Sequence, residues 1–303
     1  MTRLLIDCDP GQDDAVALLM AAAADELNLV AVTTVGGNVP ASQTAANARR
    51  VLDLAGLTGV PVHRGAERPL IFPLETAEFV CGPDGLAGAD LPPPSRAPEP
   101  TPAALAIVEA ARAGPLTIAA LGPLTNLALA LRLAPDIAGK VERIALMGGA
   151  RDLGNMTPAA EFNTYVDPHA LDVVLGAGAP VAMFGLHLTH QAVPDEAEIA
   201  ALRECGAAGR IVHAMMTRPR PGGLGAARHP FHDPCVIAWL LEPGLFTGRD
   251  CHVTVDLSGG PTRGRTTIDW NGRLGAQPNA WVAGEVDRAG FFALATRLLA
   301  TLP

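Results

Sequence analysis

The sequence predicts an α/β fold: an open, mostly parallel central sheet with helices on both faces. Three observations predict it. Short apolar runs alternate with longer segments of helical character along the 303 residues. Runs such as "LNLVAVTTV" and "PVAMFGL" are apolar almost throughout, as strands covered on both faces are. Polar residues with chemistry to offer fall just beyond these runs, where open parallel sheets bind their ligands.

The elements follow in order. "RLLIDCD" reads as the first strand and "DDAVALLMAAAADE" as the helix after it. "LNLVAVTTV" is the second strand, followed by a turn at Gly36, Gly37 and Asn38 and the helix "ASQTAANARRVLDLAG". "VPVHRG" is a third strand. The stretch from about 66 to 101 is rich in Pro, Gly and Glu and reads as a long excursion, a feature that is usually functional or disordered. "LTIAAL" then precedes the helix "PLTNLALALRLAP", and "VERIALMGG" precedes a loop and the helix "PHALDVVLGAG". "PVAMFGL" leads into one long helical stretch from about Asp195 to Thr217. A loop dense in Arg, Pro and Gly covers 218 to 230, before the helix "DPCVIAWLLE". "DCHVTVDL" and "RGRTTIDW" read as a small β-hairpin near the C-terminus, and "DRAGFFALATRLLATL" as a closing helix. No internal repeat or linker interrupts the pattern, so the expectation is one domain over 1–303.

Composition narrows the partners. A formal charge of −9 argues against a nucleic-acid backbone or an anionic membrane surface and favours a small ligand or a metal. Cys8, Cys81, Cys205, Cys235 and Cys251 are scattered and odd in number, with no CxxC pair, so neither a disulfide framework nor a zinc module is expected. The N-terminus runs straight into a strand without a signal-like segment, and no apolar run reaches the ~20 residues of a membrane helix. A soluble cytoplasmic protein is expected.

Three constellations carry chemistry. In "LLIDCDPGQDDAVALL", Asp7, Asp9, Asp13 and Asp14 crowd into eight residues. One aspartate suits a helix N-terminus, but four require a cation, a shared proton or exposure to water. Asp7 and Asp9 share a strand face, and Gly11 permits the turn that folds Asp13 and Asp14 back toward Asp9. Hard oxygen donors at this spacing suit Ca²⁺ or Mg²⁺ rather than zinc. In "RHPFHDPCVIAW", Asp233 before Pro234 has the form of a helix cap, and joins the site only if the fold brings it and His232 to the first cluster. In "GNMTPAAEFNTYVDP", Asn155, Glu161 and Asn163 can hydrogen-bond vicinal hydroxyls such as those of a sugar, or form a solvated polar loop.

The segments "DCDPGQDDAVALL", "TTVGGN", "LGPLTNLALALR", "LMGGA…GN…AEFN…DP", "LTHQA" and "HDPC" occur in the order seen in the inosine–uridine-preferring nucleoside hydrolases, which the chain resembles over nearly its whole length. The resemblance implies an open α/β fold with a Rossmann-like core, one bound Ca²⁺, a ribonucleoside substrate and a homodimer or homotetramer. It implies Asp9, Asp14, Asp233 and the Leu121 carbonyl as metal ligands, Asp13 as general base, and Asn38, Asn155, Glu161 and Asn163 as substrate contacts. Asp7 would support them from behind, and His232 would stand near the leaving base. The implied reaction is cleavage of the N-glycosidic bond by Asp13-assisted attack of a metal-bound water, with inversion.

The leaving-group side departs from the family pattern. The loop "MMTRPRPGGLGAARHPF" offers no tyrosine, Cys81 stands where several members carry a histidine, and His187 replaces a smaller polar residue. Cys81 is therefore a candidate substrate contact or acid for the departing base, or else an inert small core residue. Arg218, Arg220 and His229 join His232 as candidate acids for the departing base. Two other readings compete: a Mg²⁺-dependent phosphatase of the haloacid-dehalogenase type, from "LLIDCD", and a non-catalytic nucleoside or sugar binder. Pro10 and Gly11, and the absence of an obvious late lysine–aspartate pair, oppose the first; Asp13, which a binder has no use for, opposes the second.

Overall fold

The computed structural model describes residues 1–218 and 229–302. Among the described residues ten strands form in chain order: β1 (Thr2–Cys8), β2 (Leu27–Thr34), β3 (Val62–Arg64), β4 (Leu116–Ala120), β5 (Val141–Met147), β6 (Val181–Phe184), β7 (Phe246–Cys251), β8 (Val253–Val255), β9 (Thr266–Ile268) and β10 (Ala280–Val286). Eight of them make one sheet in the order β3-β2-β1-β4-β5-β6-β10-β7, while β8 and β9 pair antiparallel in a small hairpin. Every pair in the large sheet is parallel except β10 with the edge strand β7.

The strand order fixes where a ligand can sit. From β1 the chain steps outward through β2 to β3, then returns to β4 on the other side of β1 and steps outward again. Connections leaving β1 and β4 diverge, which opens a crevice at their carboxyl ends. The helices pack on both faces, as the alternation along β1 demands. Leu4 and Ile6 join a core with helices Gln12–Ala23, Ala41–Leu54, Gly206–Thr217, Pro234–Leu241 and Arg288–Leu299. Leu5, between them, joins the opposite core with helices Ala103–Arg112, Thr125–Leu133 and Pro168–Leu175. No helix among the described residues is long and apolar enough to cross a membrane.

Three details differ from the sequence expectation. The helical stretch from Asp195 is interrupted: Glu196–Ala201 passes through a short 3₁₀ turn at Leu202–Glu204, and a new helix begins at Gly206, whose φ of +65° breaks the first axis. The helix Ala103–Arg112 was not anticipated, although Ala103, Ala106, Ile107 and Ala111 lie buried at helical spacing. β7 and β10 were missed as members of the main sheet. β7 is an edge strand with four exposed central residues, and β10 carries Gly284 and a polar Glu285, so neither shows a buried-strand run.

Candidate active site

The site grows from the turn between β1 and the helix Gln12–Ala23. Asp14 closes that turn, accepting from the Asp9 N–H at 3.1 Å and the Gly11 N–H at 3.0 Å. Asp9 is 1% exposed at the bottom of the crevice, and its Oδ2 accepts the Asn38 backbone N–H at 2.6 Å. The Asn38 side-chain amide donates to the Asp9 carbonyl at 3.1 Å and to Asp14 Oδ2 at 3.2 Å. Gly37 and Gly122 lie beyond the two strands that flank β1, and a Cβ at either position would collide with the Asp9 carboxylate. Only glycine leaves that carboxylate its place.

Asp233 holds the position of a cap before Pro234, yet its side chain makes no capping bond. Its carboxylate faces those of Asp13 and Asp14 instead. Oxygen atoms of Asp13, Asp14 and Asp233 all lie within 4.8 Å of one another. Burial, joined by the charge of Asp14, pushes the Asp13 carboxyl up to about 7. Burial and the surrounding carboxylates also hold Asp9 and Asp233 well above the usual carboxylate range. Among the described residues, the cleft lining includes no arginine or lysine to offset this charge. An all-oxygen cluster that costs this much to ionise fits a hard divalent cation. Asp9 is not part of the tightest trio, in which Asp13 stands beside Asp14 and Asp233.

Behind this cluster, Asp7 is fully buried and accepts from Thr33 Oγ1 at 2.6 Å and Asn126 Nδ2 at 2.8 Å. Burial raises its carboxyl to about 6, and its second oxygen has no partner. Asp7 supports the strand end and does not line the cleft.

The opposite wall comes from the segment after β5. Glu161 caps the five-residue helix Phe162–Val166, with Oε1 accepting the Asn163 N–H at 2.9 Å. Oε2 accepts the Gly149 and Thr164 N–H groups at 2.9 and 3.1 Å. Burial nonetheless raises the Glu161 carboxyl to about 7. Asn163 Nδ2 donates to the Leu121 and Met147 carbonyls at 2.7 and 3.2 Å, which leaves its Oδ1 for a ligand hydroxyl. Asn155 is exposed at the mouth, its Oδ1 accepting the Phe162 N–H at 2.9 Å.

Asp9, Asp13, Asp14, Asn38, Leu121, Asn155, Glu161, Asn163, His232 and Asp233 thus line one cleft of about 250 Å³. His232 stands on its wall with Nδ1 2.7 Å from Thr189 Oγ1, and the His190 ring is 5.7 Å away. His190 and the apolar wall of Phe79, Val80, Met147, Met156 and Phe162 were missed by sequence reasoning. "LTHQA" marked the His190 segment, but no spacing links it to His232.

The structure does not bring Cys81 to the cleft wall. It is buried beside Val39 and Ala77, its Sγ 3.2 Å from the Ala77 carbonyl, and burial and nearby carboxylates push the thiol up to about 12. Arg218 turns to the Ala87 carbonyl and is not on the lining. His229 lines a small side cavity with Gln12, Asp13 and Met216. His187 faces Trp270 and the Ala283 carbonyl. Arg220 lies outside the described residues.

Comparison with known proteins decides the family. Residues 4–293 match the family described as inosine-uridine preferring nucleoside hydrolase. The chain belongs to that nucleoside hydrolase family. It is similar to the pyrimidine-specific ribonucleoside hydrolase RihA of Shewanella woodyi, at 43% identity over 99% of each chain. RihA of Salmonella typhimurium is 42% identical over 95% of each. Among solved structures, a plant nucleoside hydrolase superposes with a TM-score of 0.90 at 33% identity over 99% of each chain. A purine-preferring ribonucleoside hydrolase from Gardnerella vaginalis gives 0.89 at 31%, over 99% of this chain and 98% of the other. The nucleoside hydrolase assignment makes the chain an N-glycosyl hydrolase and leaves the phosphatase reading without support.

Proposed function

We propose that this enzyme hydrolyses the N-glycosidic bond of pyrimidine ribonucleosides, with Ca²⁺ held by Asp9, Asp14, Asp233 and the Leu121 carbonyl. One observation carries the reading: buried carboxylates, with no arginine or lysine on the cleft lining among the described residues, converge opposite a second polar wall in a single cleft. When bound, the cation would offset the carboxylate charge, gather ribose hydroxyls and make a water more acidic.

The chain's own residues do the rest. Asp13, with a carboxyl near 7, takes the proton of the attacking water at Oδ. Asn38, Asn155, Glu161 and Asn163 orient the ribose. Glu161 and the aspartates face the positive charge that develops on the sugar as the bond to the base breaks. His232, its ring fixed by Thr189, delivers a proton to the departing base. The preference for pyrimidines rests on the two RihA relatives. Five free, buried cysteines support a reducing, cytoplasmic setting, and the reading includes a homodimer or homotetramer.

The test is ribose release from uridine, cytidine, inosine and guanosine, with calcium and with chelator. Uridine and cytidine are expected to be cleaved fastest and chelator to stop the reaction. No ribose from any nucleoside would overturn the activity and leave a binder.

A further inference from the structure

The β8–β9 hairpin has no part in the reaction above, yet it grips the ribose wall at three points. Thr266 Oγ1 donates to the Ala150 carbonyl at 2.7 Å and lies 2.9 Å from the Ala150 N–H, which donates to it. Thr164 Oγ1 lies 2.9 Å from the Gly264 carbonyl and 3.0 Å from that of Glu161, so its one proton bridges the hairpin and the helix start. Arg263 Nε donates to the Tyr165 carbonyl at 3.1 Å. The gripped residues adjoin the donors that hold Glu161, namely the N–H groups of Gly149, Asn163 and Thr164.

Arg263 is the most heavily engaged of the three. It is only 8% exposed, with its guanidinium 3.7 Å from the Tyr165 ring centre and 4.3 Å from that of Phe72. Its Nη2 meets Glu75 at 2.9 Å, and the Tyr165 hydroxyl donates to the same carboxylate at 3.0 Å. One side chain thereby ties the long excursion to the helix Phe162–Val166. Gly264, at φ +75°, presses on the Tyr165 backbone where any Cβ would collide. A five-residue helix cannot hold its own conformation. Glu161 draws its donors from two separate segments; Asn163 ties one of them to the ends of β4 and β5, and the hairpin ties both from outside, through Ala150 and through Thr164 and Tyr165. A buried, paired and stacked guanidinium is suited to fixing geometry in this way.

We propose that the β8–β9 hairpin is the positioning element of the ribose wall, and that Arg263 and Thr266 place Glu161 and Asn163 without touching substrate. The proposal rests on the assignment of Glu161 and Asn163 to the ribose. Arg263→Ala, Gly264→Ala and Thr266→Val, with the exposed Arg265→Ala on the same hairpin as control, test it. Each protein, with calcium present, is titrated calorimetrically with D-ribose and separately with uracil. Arg263→Ala and Gly264→Ala are expected to weaken D-ribose binding about tenfold, the scale of a misplaced contact, while uracil binding changes by less than about twofold. Arg263→Lys is expected to recover only part, because an ammonium neither forks nor stacks. Thr266→Val should give a smaller loss of the same kind, and Arg265→Ala none.

Unchanged D-ribose affinity in Arg263→Ala and Gly264→Ala would overturn the proposal. So would equal weakening of D-ribose and uracil, which signals general loss of structure. Binding does not require turnover, so a wild type that binds D-ribose but cleaves no nucleoside refutes the activity and still tests the hairpin. A wild type that binds no D-ribose refutes the ribose assignment and the hairpin's role with it.

Discussion

The floor of the cleft and its rim are built by different means. Asp9, Asp14, Glu161, Asn163 and Asp233 on the floor are all under 10% exposed. Asp9 and Asp14 are clasped by backbone N–H groups from the turns that follow β1 and β2, and Glu161 by N–H groups from the turn after β5 and from the short helix it caps. At the rim, Phe79 is 58% exposed, Asn155 and His190 are exposed, and Phe79 sits on a four-residue helix within the long excursion. The carboxylates beside β1 inherit the rigidity of the sheet, because their donors stand directly beyond its parallel strands, while Glu161 also depends on the short helix it caps. The rim inherits loop geometry, which changes at little cost to the core. On the function proposed above, bond cleavage depends on the first part and choice of base on the second. The naming of relatives as pyrimidine-specific and purine-preferring on a shared fold agrees with this division.

The largest expected effect breaks the floor. Asp13→Asn should lower kcat by about 10²–10⁴-fold on every nucleoside while D-ribose still binds. Steady-state kinetics beside calorimetry reads both, and wild-type turnover in this variant would refute Asp13 as the base. His232→Ala comes next, with a loss of roughly 10–100-fold for uridine and a smaller one for a nucleoside whose base leaves easily. An equal loss for both would separate His232 from the leaving group.

The floor also sets a pH dependence. Asp13 and Glu161 titrate near 7 in the fold, against ordinary values of 3.8 and 4.5. Between those values the folded chain holds protons that the unfolded chain has released, so stability falls as pH rises through that window. Without cation the melting temperature should be higher at pH 5 than at pH 8. Added calcium should raise it most at pH 8, where the carboxylates it needs are already ionised. Identical pH profiles with and without calcium would show that no cation meets this cluster.

The rim should give the smallest effects. Phe79→Ala is expected to change the uridine-to-inosine ratio by a few-fold, on the order of 1 kcal/mol, with little change in D-ribose binding. A uniform loss on both substrates would break the distinction between floor and rim. Arg218→Ala should leave all rates unchanged, since that side chain points to the Ala87 carbonyl.

Much of this was legible in the sequence. Apolar runs identified strands buried on both faces, and the motif around Asp9, Asp13 and Asp14 lay within one turn, where local geometry alone brings charges together. The order of motifs identified the family. What the sequence could not determine was which of two uses a residue takes when its partner is remote. Asp233–Pro234 has the pattern of a cap, and only the packing of the helix Pro234–Leu241 against Gln12–Ala23 turned its carboxylate to Asp14. Cys81 occupied a promising position, but its thiol meets the Ala77 and Asn38 carbonyls and is not on the cleft lining. The hairpin was legible as two strands, yet its grip on Ala150 and Thr164 spans 116 and 100 residues. Periodicity reports how a segment buries its own side chains. Which distant segment receives them is decided by the order of strands in the sheet, and that order is set by packing over the whole chain.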